Sequence, residues 1–191
     1  MTGAEPTCEV LAIDDLQAIS KDCRREIVRM VKRANAGHPG GSLSVIDLLV
    51  GLYGTTLRVS LDYPKHPDRD RIILSKGHAS PAMYSALHAF GFIQESDLHT
   101  YRVFNGVCQG HVDSKWTPGV DFSGGSLGMG LSYGLGISLA GKMDSKDHFT
   151  WVILGDGECQ EGEIWEAAMA TVHHKVENLT VIVDVNGIQN D

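Results

Sequence analysis

Phe149-Thr150-Trp151-Val152-Ile153-Leu154-Gly155-Asp156-Gly157 and, thirty positions after Asp156, Asn186-Gly187-Ile188 are the two stretches that decide how this chain folds. Each closes an apolar run: residues 149–154 and 180–185 read as strands, with a helix over 163–175 between them. The runs are continuous rather than alternating, as expected when both faces of a parallel sheet are covered. A right-handed βαβ crossover brings the carboxyl ends of its two strands to one sheet edge, where open α/β folds bind their ligands. Neighbouring strands lie about 4.8 Å apart, so Asp156 and Asn186 can share a single ion at ligand distances of ~2.1 Å. Few charges and hard oxygen ligands suit magnesium, with positions left for phosphate oxygens, and the glycines beside Asp156 let a diphosphate approach the main chain. Gly-Asp-Gly alone reads equally well as a plain turn after a buried strand. The asparagine at this distance, with a helix between, favours the site.

Working outward, apolar residues recurring at three- and four-residue steps from Leu16 to Ala34 predict an amphipathic helix over 14–35. Gly37-His38-Pro39-Gly40-Gly41 ends it, and Ser42 or Ser44 is placed to cap a second helix running to about Leu57. Residues 63–70 read as a surface loop, 71–75 as a short strand, and Lys76-Gly77-His78-Ala79-Ser80-Pro81 as a loop leading into a helix that ends near Gly91. A short helix over 96–103 precedes a long glycine-rich loop, 105–125. Helix 127–143 is unusually rich in small residues (Gly130, Gly134, Gly136, Ser138, Ala140), which predicts close packing by another backbone. The fold class is therefore α/β, a mostly parallel sheet with helices on both faces.

The 191 residues suffice for one domain with a core of its own, expected over 1–191 with disorder only at the start. A net charge of -8 excludes a general affinity for nucleic acid or anionic membrane. No apolar run approaches a membrane span, and the acidic start lacks the features of a signal peptide. Cys8, Cys23, Cys108 and Cys159 lie far apart without a C-x-x-C pair, a pattern of incidental thiols that suits the cytoplasm.

The Gly-Asp-Gly and its asparagine match the thiamine-diphosphate signature, and further segments narrow the match. Gly37-His38-Pro39-Gly40-Gly41, Ser75-Lys76-Gly77-His78-Ala79-Ser80-Pro81, Gly110-His111 and Gly125-Ser126-Leu127-Gly128-Met129-Gly130 stand in the order of the transketolase family, which the sequence resembles. The resemblance implies a thiamine-diphosphate-binding fold, here incomplete at its C-terminal end, with thiamine diphosphate and Mg2+ as cofactors. It makes Asp156, Asn186 and the carbonyl of Ile188 metal ligands, and Gly155, Gly157 and Asn186 contacts of the cofactor. Gly125 and Leu127 would meet its pyrimidine end. His38, His78 and His111 become channel residues that hydrogen-bond sugar hydroxyls and move protons. His66, His88, His99, His148, His173 and His174 lack such context and are assigned to surface or packing. Glu161 and Glu166 would lie near the cofactor facing a partner subunit, although two acids near a helix start also simply favour its positive end. Ser126 departs from the proline of many single-chain members, which leaves the loop's shape open.

The activity implied is transfer of a two-carbon ketol unit from a ketose to an aldose, sugar phosphates among them, with the carbanion chemistry belonging to the cofactor. In the family, the glutamate that activates the cofactor and the sugar-phosphate arginines belong to a separate pyrimidine domain. The chain is thus expected to be a split N-terminal subunit or a fragment, inactive without a partner, in a homo- or hetero-oligomer. Split subunits of this kind normally continue past this point. Rival readings are a deoxyxylulose-phosphate synthase or 2-oxo-acid dehydrogenase component, a non-catalytic cofactor-binding subunit, and a nicotinamide oxidoreductase prompted by Gly128-Met129-Gly130. The last requires a strand immediately before those glycines.

Overall fold

The computed structural model describes residues 4–189, so the two ends of the expected 1–191 domain lie outside the described residues. Three parallel strands, β1 (Arg71–Leu74), β2 (Thr150–Gly155) and β3 (Leu179–Asp184), form a sheet in the order β1-β2-β3. Helices α1 (Ile13–Ala34), α2 (Pro39–Thr55) and α3 (Ser80–Ala89) pack together beside one face; α5 (Met129–Met143) and α6 (Gly162–His173) belong to the other. The short α4 (Glu95–Leu98) contacts α3.

Side chains along a strand point alternately to opposite faces, and the two cores follow that parity. Ile72, Leu74, Trp151, Ile153 and Ile182 pack with α1–α3, among Ile27, Met30, Ile46 and Leu49. Ile73, Val152, Leu154 and Leu179 meet Leu131, Ile164 and Ala167 of α5 and α6. Covering both faces explains the unbroken apolar runs of β1 and β2. β3 departs from that expectation: Val181 and Val183 remain about 40% exposed, because β3 is an edge strand and α6 packs on α5 rather than over β3.

Helix α1 carries Asp14 and Asp15 in its first turn, Lys32 and Arg33 in its last, and ends at Asn35 in the left-handed conformation, all favourable to its macrodipole and C-terminus. The second helix corrects the sequence reading. It starts at Pro39, with proline in the first turn, so Ser42 and Ser44 lie inside it and neither caps it. Ser42 Oγ instead donates to the His38 carbonyl, and Ser44 Oγ to Asp184. Two glycines in the first turn disguised the start; burial of Val45, Ile46 and Leu49 overrides their low helix propensity. Helix 96–103 shortens to α4, fixed by a reciprocal capping box between Gln94 and Asp97.

Helix α5 begins at Met129, leaving Leu127 in the preceding loop, and Gly128 caps it with φ +86°. Its glycines do admit close neighbours: a Cβ on Gly130 would stand 2.7 Å from the Ser75 Cα, and one on Gly134 would stand 2.5 Å from Val152. Gly136 faces open space. The long 105–125 loop has no regular element, yet Cys108, Val112, Thr117, Val120 and Phe122 are buried and anchor it. Among the described residues no helix is long and apolar enough to cross a membrane.

Candidate cofactor site at the carboxyl edge of the sheet

Residues Gly155 and Asp184 pair across the β2–β3 ladder, and the Asp156 N–H donates to the Asp184 carbonyl at 3.2 Å. Asp156 and Asn186 therefore stand one and two residues past a shared register position, on adjacent strand tips. Both border a cleft of about 790 Å³ that Gly155, Gly157, Glu161, Ile188, Gly125, Leu127, His38, His78 and His111 also line. Of the site residues expected from the sequence, Glu166 alone does not line it; it lies exposed on α6.

Each wall has its own support. His38 occupies the N-cap position of α2, and His78 sits in a single 3-10 turn between β1 and α3, its ring edge-on to His38 with centroids 5.1 Å apart. His111 comes from the long loop, which α3 holds: Ser80 Oγ donates to the Gly110 carbonyl at 2.8 Å, and the Tyr84 hydroxyl reaches the carbonyls of Gln109 and His111. Burial, then the neighbouring His38, Lys76 and His111, pushes the His78 pKa down to about 4. Burial also lowers that of His111, with Arg102 and His38 adding to it. His78 is accordingly a neutral imidazole at physiological pH, one nitrogen donating and the other accepting.

The strand tips suit a hard cation. Backbone N–H groups, foremost that of Gly187 at 2.9 Å, hold the Asp156 carboxyl below the usual carboxylate range, so it is an anion at neutral pH. The Asn186 side-chain oxygen accepts from the Ile188 N–H and keeps a second lone pair. Among the described residues no cluster of three or more His, Cys, Asp and Glu is arranged around a metal. One carboxylate, one amide and one carbonyl would make an incomplete shell, of the kind that suits an ion whose remaining ligands are phosphate oxygens. Main chain is open at Gly40 and Gly125, where an added Cβ would meet nothing within 4 Å. At Gly157 the Gln189 side chain lies over the backbone, 2.6 Å from where a Cβ would stand.

Two features of the cleft went unread in the sequence. Lys76, 2% exposed, forms an ion pair with Asp184 and donates to the Gly41 carbonyl at 3.3 Å, tying β1, β3 and the start of α2 together. Glu158, 3% exposed, turns inward from the 3-10 turn after Asp156. Its Oε1 accepts from Ser75 Oγ and from the Gly128 N–H at 2.8 Å, and its Oε2 from the Gly155 N–H at 3.0 Å. Lys76 stood in the sequence within the Ser75–Pro81 segment and just past an apolar strand, with no role read for it. For Glu158 there was none, since Glu161, Glu163 and Glu166 follow it closely.

A parallel sheet with a crossover helix and a cleft at its carboxyl edge places the chain among α/β proteins whose ligands sit at strand tips. The family description "Transketolase, thiamine diphosphate binding domain" matches residues 16–191. The chain belongs to the transketolase family, through its thiamine-diphosphate-binding domain. It is 42% identical to an apulose-4-phosphate transketolase subunit of Phocaeicola vulgatus, over 94% of this chain and 63% of that one. A 6-deoxy-6-sulfo-D-fructose transketolase subunit of a Clostridium species is 37% identical over 93% of this chain and 64% of its own length. The transketolase structure from Campylobacter jejuni superposes with a TM-score of 0.88 at 32% identity, over 94% of this chain and 29% of that one. The chain thus spans under two thirds of the two subunit relatives. Gly128-Met129-Gly130 follows a loop rather than a strand, which removes the nicotinamide reading.

Proposed function

We propose that this chain is the diphosphate-holding domain of a cytoplasmic split transketolase, which moves a two-carbon ketol unit from a ketose to an aldose together with a second chain. The observation that carries the reading is the shared cleft, where the Asp156 and Asn186 strand tips face His38, His78 and His111. Asp156, Asn186 and the Ile188 carbonyl would hold Mg2+, with Gly155 and Gly157 against the diphosphate and Gly125 and Leu127 at the pyrimidine end. The bound cofactor would supply the stabilised carbanion needed to break and make the carbon–carbon bond. His38, His78 and His111 would orient the sugar by hydrogen bonds to its hydroxyls, and the neutral His78 ring can relay a proton there by accepting at one nitrogen and releasing from the other.

Partner dependence has two supports. Both of those relatives are named as subunits, and α6 presents Trp165, Met169 and Val172 on one face at 62%, 66% and 78% exposure, on the helix that carries Glu166. Such a stripe, at i, i+4 and i+7, is what a helix shows when its apolar side awaits a neighbour. The relatives are named for a sugar phosphate and a sulfo-sugar, which favours a donor ketose with an anionic group at its far end.

Purifying the natural complex, identifying the co-purifying chain by mass spectrometry and assaying the pair for ketol transfer tests the reading; no transfer with any phosphorylated or sulfonated ketose refutes it. In that complex Asp156→Ala is expected to weaken Mg2+-dependent thiamine diphosphate binding by about a hundredfold, a size typical of a lost charged ligand. Unchanged affinity by calorimetry would remove the metal assignment.

A further inference from the structure

At the carboxyl edge the β1–β2 ladder ends with the Ser75 N–H donating to the Ile153 carbonyl at 2.9 Å. Beyond that point β1 turns away into the loop bearing His78, while β2 runs on to Gly155. Main-chain N–H groups of a parallel strand alternate between its two neighbours. Asp156 donates to β3, so Gly155 points its N–H at the side β1 has left. Without a partner it would be a buried orphan donor, and the Oε2 of Glu158 fills the place of the missing strand carbonyl.

The other carboxylate oxygen reaches two further segments. Oε1 takes the Ser75 hydroxyl from the end of β1 and the Gly128 N–H from the loop that carries Leu127. Ser75 Oγ in turn accepts from the Gly130 N–H at 3.1 Å, which directs its own hydrogen towards Glu158. One buried side chain thereby joins three walls of the cleft: the β1 end leading to His78, the loop at Leu127, and the β2 end leading to Asp156. All three direct partners are donors, so a carboxylate, which offers acceptors only, is matched at every contact.

We propose that Glu158 is the positioning residue of the cofactor cleft, fixing the His78, Leu127 and Asp156 segments at mutual distances that admit the diphosphate and its metal. Both its carboxylate oxygens are taken up by these donors, and it acts through the segments it holds. The proposal rests on the cofactor reading above and adds to it a residue that sets affinity without being a ligand. Glu158→Gln is the sharpest test, because it keeps size and shape while confronting at least one N–H donor with an amide NH2.

Affinity for thiamine diphosphate at fixed Mg2+ is measured by calorimetry on the natural complex stripped of cofactor, alongside its urea midpoint and the KM for ketose at saturating cofactor. Glu158→Gln is expected to bind the cofactor about ten- to thirtyfold more weakly, with ketose KM within about twofold of wild type once the site is filled. Ser75→Ala, which removes one donor and leaves two, is expected to weaken binding by about three- to tenfold. A merely structural staple would lower the urea midpoint and leave the affinity of the folded protein alone; folded Glu158→Gln binding within twofold of wild type overturns the proposal. Should Glu158→Gln fail to fold, Ser75→Ala decides by the same criterion. Failure of wild type to bind would overturn the cofactor reading and this proposal with it, whereas equal binding by wild type and variants overturns the placement of Glu158 alone.

Discussion

At the amino end of the sheet Arg69 and Asp121 form a buried ion pair, with side chains 7% and 8% exposed; at the carboxyl end Lys76 and Asp184 form another. Each end also holds a histidine whose pKa burial lowers, His148 and His78 respectively. The amino end is closed. Asp70 accepts from the Arg58 and Phe149 N–H groups besides pairing with the Arg58 guanidinium, and Asp121 accepts from the Ile72 N–H besides pairing with Arg69, so these carboxylates finish loops and strand starts. Among the described residues Arg69 Nε, Ser138 Oγ, His148 Nδ1 and Thr150 Oγ1 are buried there without hydrogen-bond partners. The carboxyl end opens instead on the large cleft, and its buried charges stand behind glycines and imidazoles that face the opening. Buried charge and a shifted histidine therefore do not mark a site by themselves; concavity and open main chain distinguish the end that can take a ligand.

The largest effect expected from breaking this contrast lies at the closed end. Arg69→Met would leave Asp121 buried with the Ile72 N–H as its remaining close donor and Arg71 4.0 Å away. A loss of about 3–5 kcal/mol in urea unfolding is expected, largely recovered in the Arg69→Met/Asp121→Leu double variant. Cofactor affinity of the folded protein should not move. A change in affinity larger than twofold would mean that the two ends are coupled through the sheet.

A smaller loss, with the opposite signature, is expected at the open end. A Cβ on Gly77 would stand 2.2 Å from the Gly124 carbonyl, main chain that is itself tied back by its N–H to Val112, while Val112 donates to Gly77. Neither partner is a flexible side-chain tip, so Gly77→Ala must push the His78 turn away from the loop bearing His111 and Gly125. Overpacking of this kind costs about 1–3 kcal/mol. Unlike Arg69→Met, this variant should also weaken thiamine diphosphate binding in the fraction that remains folded, and equal affinity would show that the two segments tolerate separation.

How much of this contrast the sequence carried depends on the range of the interactions involved. Asp156 and Asn186 were legible because strand parity and a crossover helix convert a separation of thirty positions into adjacency at one edge. The histidines were legible only through the motifs around them. Lys76 and Asp184, 108 positions apart, meet across a sheet order that no local pattern states. Glu158 was hidden differently: four glutamates fall between 158 and 166, and only the 3-10 turn over Gly157–Gln160 decides which of them is turned inward. The start of α2 was misread for a third reason, because the cap preference of serine was weighed above the fit of a proline to the first turn.

The finest separation of the two ends comes from pH. A histidine whose folded pKa lies below its unfolded value resists protonation in the native state. The unfolded chain then binds more protons between the two values, and stability falls as pH drops through that window. For His78 the window runs from its ordinary value near 6.5 down to about 4. His148 acts in the same direction from the same upper limit. Water still reaches one side of the His78 ring, so its share should be no more than about 1 kcal/mol once screening is allowed for. His78→Asn and His148→Asn should each flatten the fall of the urea midpoint between pH 6.5 and 4. Only His78→Asn should also change how thiamine diphosphate affinity varies over that range, since only His78 faces the cleft. A flattened affinity profile in His148→Asn would contradict the division between a closed and an open end.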